Sequence, residues 1–254
     1  MQWNIPNILT VLRLIAAPGV AILFLYFQRP VADWFALVLF VTAALTDFLD
    51  GYLARLWKQE SKFGAMLDPI ADKAMVVIAL MIIVGYSSMS PWLVLPATVI
   101  LFREVFISGL REFLGDTAGI LKVTVLAKWK TTAQMVAISF LFSQGVFEHY
   151  LIMSSIGMDQ EAITSVLDGG VNDDIGLRWK FNAMVWSGNI GVGLLWVAAA
   201  LTLVTGFDYF AKSLPFLKDD GRRAVPRLWR GASGTARGAA RPPRSARNQK
   251  NNVF

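Results

Sequence analysis

Apolar and polar positions along this chain fall in long blocks, not in short alternations. Apolar runs cover about residues 8–27, 32–56, 63–86, 92–114, 128–147 and 181–207. Each approaches or exceeds the roughly 20 residues that a helix needs to cross the hydrocarbon layer. Little of the pattern has the two-residue period of a membrane strand, which argues against a barrel. The blocks predict an all-α, polytopic membrane protein with six transmembrane helices. Pro18 inside the first run predicts a kink. Residues 1–8 hold no basic start and no small-residue cleavage site, so the first run reads as a retained span.

The breaks between runs are short at 28–30, 58–62 and 87–91, and longer at 115–127. Residues 148–180 differ from the rest. They carry Glu148, Asp159, Glu161, Asp168, Asp173 and Asp174, with Gly157, Gly169 and Gly170 as breakers. They predict an extracytoplasmic loop with one short helix at 159–167. Residues 1–210 then form the membrane domain. Residues 211–254 form a tail rich in Arg, Ala, Gly and Pro, predicted to be largely disordered and cytoplasmic.

Composition sharpens this picture. The 254 residues are 55% hydrophobic, with mean hydropathy +0.51, well above a soluble domain. There is no cysteine and only one histidine, His149, so disulfides, thiolate sites and His-based triads are excluded. Metal chemistry would have to use oxygen ligands, which favours magnesium, manganese or calcium. The net charge of +6 is uneven: the tail holds 11 of the 24 Lys and Arg, for +9, leaving −3 elsewhere. Such a tail, with few aromatics, suits anionic lipid headgroups better than nucleic acid. With six spans, the tail, Lys58, Lys62 and Lys122 share one side and the acidic loop takes the other. The positive-inside rule makes the first side cytoplasmic.

The chemistry concentrates in residues 47–73. Asp47 and Asp50 lie in the second half of the second run, Asp68 and Asp72 in the first half of the third. Carboxylates within apolar helices are costly and rarely idle. Spacings of three and four residues put each pair on one helix face. At roughly 1.5 Å per residue the two pairs reach similar depth below the cytoplasmic surface. Four such charges at one place call for one or two divalent cations. The alternative is pairing with Arg55, Lys62 and Lys73. Gly51 and Gly64 leave room for a ligand near the backbone, and the Arg55 guanidinium has the geometry to clamp a phosphate.

The arrangement Asp47-x2-Asp50-Gly51-x2-Ala54-Arg55-x8-Gly64-x3-Asp68-x3-Asp72 resembles, without a gap, the signature of the CDP-alcohol phosphatidyltransferases. The stretches 3–13, 103–112 and 128–134 resemble the phosphatidylglycerophosphate synthases of bacteria within that family. The resemblance covers about residues 3–147 well and the sixth run loosely. It implies six transmembrane helices, a homodimer, and a bacterial inner-membrane enzyme with Mg2+ or Mn2+. It further implies transfer of a phosphatidyl group from CDP-diacylglycerol to sn-glycerol 3-phosphate, with release of CMP. Carried onto this chain, it makes Asp47, Asp50, Asp68 and Asp72 metal ligands and Asp72 the general base. It places Gly51, Ala54, Arg55 and Gly64 at the donor nucleotide. Alternatives are another acceptor, such as inositol phosphate or serine, or a cation transporter using the intramembrane carboxylates. The transporter would call for duplicated broken helices, and the sequence has no such repeat.

Polar residues elsewhere extend the reading. Arg103 lies about 12 Å deeper in its helix than Arg111, a costly position that calls for a partner. Either it pairs with a site aspartate, or Arg103, Arg111 and Lys128 hold the acceptor phosphate, with Lys130 ranked behind them. Thr10 and Arg13 lie within reach of the nucleotide, Arg13 doubling as a headgroup anchor, and Asn7 suits a helix cap. The tryptophans near run ends, such as Trp34, Trp57, Trp92 and Trp179, read as interfacial anchors. Ser187 and Gly191 form a small-xxx-small pair.

Overall fold

The computed structural model describes residues 5–27, 29–57, 62–115 and 125–223, and these are helical apart from short turns. The helices are α1 (Ile5–Tyr26), α2 (Val31–Trp57), α3 (Lys62–Tyr86), α4 (Pro91–Leu114), α5 (Val125–Ser155), α6 (Gln160–Leu167) and α7 (Leu177–Arg223). The six long helices follow the six apolar runs in order, and α6 is the short helix expected near 159–167. Among the described residues four segments are long and apolar enough to cross a membrane: Asn7–Tyr26, Pro91–Leu114, Trp129–Ser155 and Leu177–Leu217. Helix α2 adds the shorter apolar stretch Val31–Ala43. Met1–Ala211 is one compact unit; Lys212–Phe254 is a second, of which the end of α7 is described.

Two boundaries move from their expected places. Helix α5 continues through Ser155 and α7 begins at Leu177, so the loop narrows to 156–176. No breaker precedes Gly157, whose φ of 86° ends the helical path. At the other end, α7 runs past residue 211 to Arg223. Phe210, Leu214 and Leu217 carry the helical apolar spacing beyond the expected end. Residues 224–254 of the predicted tail lie outside the described residues.

Large apolar side chains face outward as well as inward. On α1, Ile8, Leu12, Ile15 and Ile22 are exposed, while Ala17, Val20 and Phe24 are buried. On α2 the buried stripe is Ala32, Ala36, Phe40 and Ala43. Lipid solvates an apolar side chain as well as a neighbouring helix does, so association depends on close packing, which small residues permit. Helix α1 packs most extensively on α3, and α2 on α5. Phe142 of α5 joins these pairs: its ring centroid lies 5.8 Å from Phe24 and 5.5 Å from Phe40.

Helix α7 meets α5 at glycines. A Cβ added at Gly191 would lie 2.8 Å from Leu141 Cγ and 3.2 Å from its backbone nitrogen. Gly191, with Gly188 against Gln144, is therefore a point of close approach between helices. Against α4, Trp196 meets Trp92 with ring centroids 6.3 Å apart, and Phe210 meets Phe106 at 5.6 Å. The same separation in sequence recurs at both contacts, so α4 and α7 run parallel. Pro96 of α4 has no N–H to offer the Trp92 carbonyl, and the Trp196 indole donates to it instead, at 3.0 Å.

Acidic residues of the loop finish helices. The Asp159 carboxylate accepts from the Ala162 N–H at 2.9 Å and caps α6. Asp173 accepts from the N–H groups of Leu177 and Arg178, at 2.6 and 2.8 Å, at the start of α7. The Arg178 backbone bond, followed by that of Leu177, holds the Asp173 carboxyl below its usual pKa of 3.8.

Two outcomes are expected. Gly191→Ile should destabilise the bundle by about 1–3 kcal/mol through overpacking. Gly193→Ile, where a Cβ meets nothing within 4 Å, should leave the melting temperature in detergent nearly unchanged. Because the folded pKa of Asp173 lies below its unfolded value, its capping contribution is complete above about 3.8 and is lost as pH falls through the folded value. Hydrogen exchange at the Leu177 and Arg178 amides, corrected for intrinsic rates, should lose protection on acidification. In Asp173→Asn the loss should not depend on pH.

Candidate active site

Asp68 and Asp72 lie one turn apart in the first half of α3, on the side that meets α1. On α1, Asn7, Thr10 and Arg13 recur every three residues and are buried, with Arg13 only 6% exposed. The opposite face carries the exposed Ile8, Leu12 and Ile15. This polar stripe meets the α3 carboxylates directly. The Thr10 hydroxyl donates to Asp68 Oδ1, and Arg13 Nη1 stands 3.3 Å from Asp72 Oδ1. Thr10 thus sits on a carboxylate, and Arg13 is a buried partner of Asp72 where a headgroup anchor was an open reading.

A second polar cluster surrounds Glu104 of α4. Its Oε1 accepts from Lys130 Nζ of α5 and from Arg103 Nη1, the latter at 3.2 Å. One turn on, the Ser108 hydroxyl donates to the Glu104 carbonyl at 2.6 Å and receives a hydrogen bond from Lys73 of α3. Lys130 is 6% exposed. A charge this deep persists only when paired, and Glu104 is the pairing group. Asp72, Lys73, Glu104 and Lys130 line one cavity of about 360 Å³ between α3, α4 and α5, with Thr131 and Thr132 beside them.

The expected site residues separate into three groups. Asp68, Asp72 and Thr10 come together. Arg103 answers its need for a partner through Glu104 of its own helix, and its stem lies against Gly206 of α7. Arg111 is exposed, with its guanidinium carbon 5.2 Å from the centroid of the Tyr209 ring, a cation–π contact. Gly64 is buried in α3. Asp47, Asp50, Gly51, Ala54 and Arg55 belong to helical α2, and Lys128 to α5, but their side chains lie outside the described residues. Glu104, Lys73 and Ser108 are polar residues of the cluster that the motif does not single out. The available signal was a Lys or Glu inside an apolar run, the same signal that marks the aspartates.

A metal fits the described chemistry in kind. Asp68 and Asp72 offer hard oxygen donors, with Asp72 shared between the α1 interface and the cavity. Among the described residues no three His, Cys, Asp or Glu side chains converge, and Asp47 and Asp50 are outside that set.

Carboxylates and basic groups thus converge on a cavity between apolar helices, as in a membrane-embedded enzyme acting on a charged substrate. Residues 3–166 match the family described as CDP-alcohol phosphatidyltransferase, and this chain belongs to that family. Three bacterial relatives are named CDP-diacylglycerol–glycerol-3-phosphate 3-phosphatidyltransferase. The protein of Cereibacter sphaeroides is 65% identical over 87% of this chain and all of its own length. That of Haemophilus influenzae is 42% identical over 61% of this chain and 83% of its own. That of Escherichia coli is 34% identical over 86% of this chain and all of its own. The family generally uses divalent metal ions.

The Glu104 cluster predicts a non-additive stability cycle. Glu104→Ala should cost about 3–5 kcal/mol, since it strands the buried Lys130 charge. Lys130→Met added to it should recover most of that loss. Unfolding in mixed micelles, with each variant and the pair, checks it.

Proposed function

We propose that this chain transfers a phosphatidyl group from CDP-diacylglycerol to sn-glycerol 3-phosphate, forming phosphatidylglycerophosphate and releasing CMP. The observation that carries it is the family signature from Asp47 to Asp72, two of whose carboxylates meet α1 and a basic cavity. Identity of 65% to the Cereibacter sphaeroides enzyme over that protein's whole length supports the acceptor.

In this reading Asp47, Asp50, Asp68 and Asp72 hold Mg2+ or Mn2+. The metal, when bound, neutralises the donor diphosphate and lowers the barrier to its cleavage. Asp72 takes the proton from the acceptor hydroxyl as that oxygen attacks the phosphorus bearing the diacylglycerol. Arg13 holds the Asp72 carboxylate in place. Gly51, Ala54, Arg55 and Gly64 accommodate the nucleotide, with Thr10 fixing Asp68. Arg103, Arg111 and Lys128 hold the acceptor phosphate, and the position of Lys130 and Lys73 beside Asp72 favours adding both to that set.

All six long helices cross the bilayer in this proposal, with both termini and the aspartates on the cytoplasmic side of a bacterial inner membrane. The chain works as a homodimer, and its basic tail lies along anionic headgroups.

The test is CMP release by purified protein in micelles. It should require CDP-diacylglycerol, glycerol 3-phosphate and a divalent cation, and should stop with excess chelator. Serine or inositol phosphate replacing glycerol 3-phosphate at full rate would reassign the acceptor. Asp72→Asn should lower kcat by about 10²–10⁴-fold, the usual worth of a general base. An undiminished rate in that variant would remove Asp72 from its role.

A further inference from the structure

A second, larger cavity of about 750 Å³ opens at the other end of the bundle, among the far ends of α1 and α3 and the starts of α2 and α4. Every long helix contributes to its wall. The volume is that of a pocket for a small ligand. Part of its lining is apolar, with Leu93, Met184, Val185 and Val192. Its mouth is polar and charged, and there Arg29, Asp33 and Glu148 meet.

The charges at the mouth have a defined order. Arg29 forks onto Asp33, with Nε to Oδ2 at 2.7 Å and Nη2 to Oδ1 at 2.8 Å. Its remaining nitrogen, Nη1, reaches Glu148 at 3.2 Å. The guanidinium carbon lies 5.1 Å from the centroid of the Tyr86 ring. All three nitrogens are engaged and one face is covered, which leaves no fork for an incoming anion. Gly145 makes this packing possible, because a Cβ there would collide with both Arg29 and Asp33. Asp33 is 1% exposed and neutralises Arg29. Glu148 is different: its side chain is 46% exposed and held by the single longer contact. Two carboxylates against one guanidinium leave a net −1 at the mouth, and Glu148 presents it. Gln144, Asn189 and Ser88 add neutral hydrogen-bonding groups to the lining of the same cavity.

We propose that this cavity binds a bilayer lipid whose head carries an ammonium group, with the ammonium on Glu148 and an acyl chain against Val185 and Val192. The net charge selects a cation over an anion. The apolar lining and the volume select an amphiphile over a small free amine. The neutral donors in the same cavity suit the oxygens of an ester or phosphodiester next to the ammonium. The site is remote from Asp68 and Asp72, so its occupant is neither donor nor acceptor in the transfer reaction.

Native mass spectrometry of the full chain in detergent tests this, with an ethanolamine phospholipid and a glycerol phospholipid of the same chains. Retention of the ethanolamine lipid is expected to exceed that of the glycerol lipid by about tenfold, an energy near 1.4 kcal/mol. Glu148→Gln should bring the two lipids level. Asn189→Phe, which fills the mouth, should remove both, and neither change should alter CMP release. In the unaltered protein, dodecylamine should displace the ethanolamine lipid and glycerol monolaurate should not. Equal retention of the two lipids, a preference for the glycerol head, or a preference that survives Glu148→Gln overturns the proposal. If Glu148→Gln fails to fold, the competition decides alone: equal displacement by the two additives overturns it.

Discussion

Placing carboxylates inside an apolar bundle is the constraint on which the rest of this structure depends. A charge removed from water is tolerated only when another group compensates it. At the α1–α3 interface Asp72 does this for the buried Arg13, and Thr10 donates to the more exposed Asp68. The cost of the charges thereby fixes which face of α1 turns inward, and the outward face is left to Ile8, Leu12 and Ile15. The extensive α1–α3 interface is thus a consequence of chemistry as much as of packing. Small residues such as Ala79, Ala97 and Ala137 then let the remaining helices close around it.

The same rule organises the second cluster. Glu104 alone would be an expensive acid, and Lys130 alone an expensive base. Together, with Arg103 at the edge, they become a charge network next to Asp72. The two ion pairs fix Arg103 and Lys130 on either side of Glu104, and Glu104 and Lys130 line the cavity that Asp72 also lines.

Much of this was legible because a membrane simplifies the code. Long apolar blocks locate helices with little ambiguity, and a charged residue inside one stands out. The six long helices and the two carboxylates of α3 that meet α1 stand out through those two signals. Partners were harder to read. Arg103 is bound by its own neighbour, Glu104, a pairing that depends on side-chain direction and not on spacing. Arg13 looks equally suited to a headgroup until the depth of Asp72 on a different helix is known. Loop acids read as surface charge, yet Asp159 and Asp173 hold helix ends, because the N–H groups they accept from become visible only when the helix starts are fixed. The helical extension of α7 escaped because basic composition outweighed the spacing of Phe210, Leu214 and Leu217.

The hydrogen bond from Trp196 to the Trp92 carbonyl carries a further consequence. A helix carbonyl without its i+4 partner forgoes a hydrogen bond, and Pro96 has already removed the ordinary donor for Trp92. Helix α7 therefore cannot slide along α4 without exposing that oxygen. Further along α4, 11 and 19 residues from Trp92 and so about 16 and 28 Å on, α7 sets Gly206 against Arg103 and Tyr209 beneath Arg111. One indole at the start of α4 acts as the zero mark of a ruler, against which the arginines further along that helix are measured out.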